Sequence, residues 1–184
     1  MEGPRYFLLS PAHCGGRRAR ILFNGGADFP LAVRLRAGEA TLGEAFSFLS
    51  GLYFRGKLAY ATRFGSGNGG VQVITTNRGL LSPETVVTVD ELRAFGQVDI
   101  DLADARYRAP LERDVAELAR RAPRQVVLLG SIATTKYLEI LVAGFGDRLV
   151  YPTEFVGLGD MSRGSILLRA ARAGIELRYG NAGS

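Results

Sequence analysis

Four short stretches of this 184-residue chain collect hydroxyl, amide and guanidinium groups, the set that binds a phosphate or the polar edge of a base. They run from Ser10 to Arg17, Thr76 to Pro83, Gly130 to Lys136 and Pro152 to Arg163. The candidate ligand-binding residues in them are Ser10 and Arg17, Asn77 and Arg78, Ser131, Thr134 and Tyr137, and Ser162 with Arg163. Asp160 is the candidate catalytic carboxylate, placed to orient a water. Gly157 to Gly164 is the most informative run, because glycines and a capping serine would leave free backbone amides at a helix start whose dipole favours negative charge. Counting 100° per residue, Ile166, Leu167 and Ala170 fall within roughly 60° of Arg163, so Arg163 is expected to point inward and Arg172 outward. Two readings stay open there: an anion docks on the amides, or Asp160 or Ser162 caps the helix and Arg163 pairs with the carboxylate. Ordinary capping by Ser131 or Thr134 is the parallel alternative at the Gly130 turn. Tyr137, Tyr53, Phe54 and Tyr60 are read first as packing residues and second as platforms for bases.

Several chemistries are excluded or discounted. A single cysteine, Cys14, and a single histidine, His13, allow neither an internal disulfide framework nor a Cys/His zinc site, and no metal or cofactor is expected. Being adjacent, the two do not form a natural catalytic couple. Asp99, Asp101 and Asp104 could hold magnesium or act as acid and base, but a solvated turn before a helix explains them more simply. Gly65 to Gly70 lacks the lysine followed by serine or threonine of a phosphate-binding loop and reads as a linker.

The elements that must position these groups follow from composition and pattern. With 47% hydrophobic and 22% charged residues the chain is of globular, not disordered, composition. The net charge is +5, and 21 of 23 basic residues are arginine, which suits forked contacts to anions, although genomic base composition yields the same bias. No apolar run approaches the roughly 18 residues of a membrane span, and Met1 to Arg5 does not resemble a secretory signal, so a cytoplasmic, membrane-free protein is expected.

Arg5 to Leu9, Val71 to Thr75, Gln125 to Leu129 and Arg148 to Tyr151 read as strands, the third so purely aliphatic that a central parallel position is expected. Helices are expected from Pro30 to Arg36 behind an Asp28 cap, with Leu31, Leu35 and Val33 inward, and over Gly51–Phe64, Thr88–Phe95, Arg108–Arg121, Thr134–Ala143 and Ser162–Ala173, before a last segment, Ile175–Tyr179. Ala12 to Arg18 reads as a basic loop. This alternation predicts one domain over residues 1–184, a three-layer α/β fold with a mostly parallel central sheet flanked by helices. Ligands of such sheets bind outside the strand carboxyl ends, where the four stretches would converge.

Pieces of the chain, in order, resemble the YaaA-like peroxide-stress proteins and the related bacterial domains of uracil-DNA-glycosylase type. Phe7-Leu8-Leu9-Ser10-Pro11-Ala12 looks like that family's opening strand and Ser-Pro-Ala turn. Arg78-Gly79-Leu80-Leu81-Ser82-Pro83, Val127-Leu128-Leu129-Gly130-Ser131 through Tyr137, and Arg163-Gly164 with Arg169 resemble three further family segments. His13 stands where the family has lysine, and Lys136 where it has glutamate. The resemblance implies an intracellular α/β protein similar to DNA-binding stress proteins, in a group that includes base-processing enzymes.

Three functions are therefore expected in order: a nucleic-acid-binding protein; an enzyme acting on a nucleobase or nucleotide, such as an N-glycosidic hydrolase using Asp160; and a non-catalytic small-molecule sensor or assembly subunit.

Overall fold

The computed structural model describes residues 3–67, 69–133 and 135–184. Among them, helices cover both faces of a six-stranded sheet of order β3-β2-β1-β4-β5-β6. The strands are β1 (Arg5–Leu9), β2 (Val71–Ile74), β3 (Leu80–Leu81), β4 (Gln125–Leu129), β5 (Leu149–Pro152) and β6 (Tyr179–Asn181). β1 pairs in parallel with β2 and β4, and β4 with β5, while β3 and β6 are short antiparallel edges. β1 is buried along its whole length and β4 at all but its first residue, as expected for strands covered on both faces.

The helices are α1 (Arg17–Phe23), α2 (Pro30–Arg36), α3 (Leu42–Ser50), α4 (Leu52–Phe64), α5 (Val89–Gly96), α6 (Ala105–Arg120), α7 (Thr135–Phe145) and α8 (Asp160–Ala173). Phe7, Leu9, Val73, Val127 and Leu129 face a core filled by α1 to α5 and α8; Leu8, Ile74, Val126 and Leu128 face α6 and α7. Right-handed crossovers account for the division, since β1 to β2 advances across the sheet in one direction and β4 to β5 in the other. The crevice between β1 and β4, where the direction changes, is where sheets of this kind receive ligands. No helix among the described residues is long and apolar enough to cross a membrane.

α4 and α8 cross at glycines: a Cβ on Gly56 would meet the Gly164 carbonyl oxygen at 2.6 Å, and one on Gly164 the Leu52 oxygen at 2.7 Å. Only residues without a side chain let these backbones approach so closely.

Several local expectations need correction. The basic run after β1 turns helical at Arg17 because Ala19 and Leu22 find apolar partners. Asp28 does not cap α2; Phe29 is the N-cap, with Pro30 in the first turn, and Ala32 is buried while Val33 is 47% exposed. α3 went unread, although Thr41 caps it by accepting from the Glu44 amide. Thr75 to Gly79 closes a β2–β3 hairpin in which Gly79 has φ +63°, so Asn77 and Arg78 lie in a turn.

Candidate functional site

Ser10 follows β1 in the crevice between β1 and β4. Its Oγ lies 3.3 Å from the Leu129 carbonyl oxygen across the β1–β4 pair. From the α4 side, Lys57 Nζ reaches Ser10 Oγ at 2.8 Å and the Ser10 carbonyl at 2.9 Å. From the α7 side comes Tyr137, whose hydroxyl donates to the Ser131 carbonyl at 2.9 Å. Gly130 makes room for this meeting, since a Cβ there would lie 2.8 Å from the Tyr137 hydroxyl and 2.9 Å from Ser10 Cβ.

Lys57 is 1% exposed, and no carboxylate lies within ion-pairing distance of it among the described residues. Its ammonium rests over the rings of Tyr53, 4.3 Å from the centroid, and Phe54, at 5.1 Å. Burial drives its pKa from the usual 10.5 down to about 7; the charge of Asp160 opposes the shift and that of Arg163 adds to it. Tyr53 is 8% exposed, and its hydroxyl makes no hydrogen bond of ordinary geometry despite the neighbouring Arg163 guanidinium. Burial raises its pKa, which the approach of the Arg163 N–H groups and then the Arg163 charge partly offset. Burial likewise pushes Tyr137 up to about 12.

Beside this cluster opens a cavity of about 760 Å³, bounded by Pro11 to Cys14, Thr76, Phe95 and Gly96, Val98 to Leu102, and Thr135 with Lys136. It begins one residue beyond Ser10 and one before Tyr137. The lining mixes apolar surface from Phe95, Ile100 and Leu102 with the polar groups of His13, Thr76, Asp99, Asp101 and Lys136. Cys14 in its wall is buried, and desolvation pushes the thiol up to about 12, so it is no thiolate nucleophile.

The sequence candidates divide. Ser10, Ser131 and Tyr137 meet directly. Asn77 is half-buried with its Oδ1 enclosed and unpartnered. Arg163 reaches the layer of Tyr53 and Lys57, but its Nε and Nη2 donate to the Phe155 carbonyl at 3.2 and 3.1 Å. It ties down the turn before α8 and does not pair with Asp160. Gly159, with no side-chain cap, is the N-cap of α8; Asp160 and Ser162 are both exposed. Neither the capping serine nor the carboxylate cap is therefore present. Arg17 is exposed on the first turn of α1, and Arg78 pairs with Glu91 at 3.4 Å. Thr134 lies outside the described residues. Of the three aspartates, Asp104 caps α6, whereas Asp99 and Asp101 line the cavity.

Lys57 is the residue that sequence reasoning missed. Tyr53, Phe54, Lys57, Tyr60, Ala61 and Phe64 all fall on one helical stripe, and the lysine within it was the available signal. Comparison of the chain with protein-family models, curated proteins and solved structures finds no match.

Proposed function

We propose that the chain acts on a nucleobase, nucleoside or nucleotide held as a small ligand at the carboxyl edge of the sheet. The observation that carries this reading is the cavity of about 760 Å³, a size that suits a small organic ligand more than a polymer groove. Apolar walls suit a flat ring, and the carboxylates of Asp99 and Asp101 can accept from ring or exocyclic N–H groups and from sugar hydroxyls. The Ser10, Ser131 and Arg163 segments resemble DNA-binding stress proteins in a group that also includes base-processing enzymes.

The nucleic-acid-binding alternative draws on the net charge of +5. Several arginines nonetheless pair with carboxylates, among them Arg34 with Glu44, Arg78 with Glu91, Arg106 with Asp104, Arg108 with Glu112, Arg113 with Asp114 and Arg121 with Glu117.

Calorimetry against nucleobases, nucleosides, nucleoside monophosphates and a DNA duplex, each at low and high salt, tests the proposal. A monomeric ligand is expected to bind with little salt dependence, and Asp99→Asn with Asp101→Asn to weaken it by about 10- to 100-fold. Duplex binding that falls steeply with salt, with no monomer binding, overturns it.

A further inference from the structure

The geometry points to a serine–lysine catalytic pair: we propose that Ser10 Oγ is a nucleophile for acyl transfer, with Lys57 as its general base, acting on a carboxylic ester or amide. This goes beyond the nucleobase reading and does not depend on what fills the neighbouring cavity.

Three observations support it. First, the 2.8 Å contact between Lys57 Nζ and Ser10 Oγ is within the reach a base needs to take the serine proton. Second, Lys57 is 1% exposed and lies behind Ser10, a half-buried residue at the strand end, so water is kept from the amine. Third, the buried hydroxyl of Tyr53, beside the Arg163 guanidinium, has no acceptor for its proton among the described residues, although the ring carrying it lies under the Lys57 amine. A buried donor left unpaired is costly unless it serves something bound.

Protonation fits the role. A neutral amine has two N–H donors and one lone pair, so Lys57 can donate to the Ser10 carbonyl while accepting from its hydroxyl. The hydroxyl hydrogen need only turn from the Leu129 carbonyl toward Nζ. The groups facing Lys57 are Tyr53 on its own helix and Asp160 and Arg163 of α8, with Tyr137 of α7 across Ser10. Desolvation outweighs the charge of Asp160, which leaves a substantial neutral fraction at neutral pH.

In the first half-reaction Oγ bonds to the carbonyl carbon as its proton passes to Nζ, and the carbonyl π pair moves onto oxygen. Pro11 follows Ser10 and has no N–H, so the usual donor next to the nucleophile is missing. The Tyr53 hydroxyl takes its place as the donor to the oxyanion, the Tyr137 proton being held by the Ser131 carbonyl. The electron pair then returns, the bond to the leaving alcohol or amine breaks, and the Lys57 ammonium protonates that group. In the second half-reaction water attacks the acyl-Ser10 ester, gives its proton to Lys57, and releases a carboxylic acid as Oγ recovers the proton.

The test is labelling of the full chain with p-nitrophenyl acetate and with a fluorophosphonate, read by p-nitrophenol release and peptide mass mapping. One adduct on Ser10 is expected, forming at a rate that climbs with pH through neutrality and levels off above. Ser10→Ala abolishes it, Lys57→Met slows it by about 100-fold or more, and Tyr53→Phe slows it by about 100-fold without lowering the melting temperature. An unmodified Ser10 in folded protein, a rate that is flat from pH 6 to 9, or equal labelling of Lys57→Met overturns the pair. Should Lys57→Met fail to fold, the pH profile and Tyr53→Phe decide. Labelling of Ser10 without nucleoside binding would sink the cavity reading alone, and nucleoside binding with an inert Ser10 would sink only the pair.

Discussion

At the scale of single residues, the unusual feature is a lysine enclosed without a carboxylate. Lys57 binds fewer protons in the folded than in the unfolded chain between about pH 7 and its ordinary 10.5. Stability therefore rises with pH across that window, and the cost of burying the ammonium is felt in full below it. A displacement of that size corresponds to at most about 5 kcal/mol. Urea unfolding of the native chain from pH 7 to 9 is expected to show increasing stability, and Lys57→Met to flatten the slope. Above about pH 10 the trend reverses, because Tyr107, Tyr137 and Tyr179 resist ionisation when folded and the unfolded chain does not. The places of Ser10 and Ser131 at the strand ends were open to inference because both follow apolar strands. The place of Lys57 was not, because a basic residue on a helix is ordinarily solvent-facing and its partner lies 47 positions away.

At the scale of elements, α4 and α8 form the layer that carries Lys57, Tyr53 and Arg163 to the strand ends. Their spacing depends on the Gly56–Gly164 crossing, where Gly56→Val or Gly164→Val would force the backbones apart. Each is expected to cost about 3 kcal/mol and to slow Ser10 labelling, as chemical unfolding and mass mapping would show. Thr88→Ala is a useful contrast. It removes the capping box of α5, in which Thr88 and Glu91 satisfy each other's backbone amides, and should cost about 1 kcal/mol. Strand positions were legible because Arg5–Leu9 and Gln125–Leu129 are unbroken apolar runs. α1 was hidden by its three arginines; tertiary packing of Ala19 and Leu22 overrides that local signal.

At the scale of the whole molecule, the reversal of crossover direction at β1 and β4 gathers polar groups at one edge of the sheet and leaves a structural network toward the other. There Arg5 pairs with Glu176, which accepts from the Tyr179 hydroxyl, itself bonded to Tyr60. Glu176→Gln is expected to lower stability by about 1–3 kcal/mol while leaving the rate of Ser10 labelling unchanged, which would separate the two edges experimentally. The alternation of apolar strands and amphipathic helices was enough to determine a three-layer α/β fold, because both periodicities are local properties of the chain. The lone histidine and cysteine were enough to limit the chemistry. Only the tertiary structure decided that Ser10 meets Lys57, that Arg163 donates to the Phe155 carbonyl, and that Asp99 and Asp101 face a cavity. Those facts depend on which distant surfaces the crossovers press together, and no local pattern of residues encodes that choice.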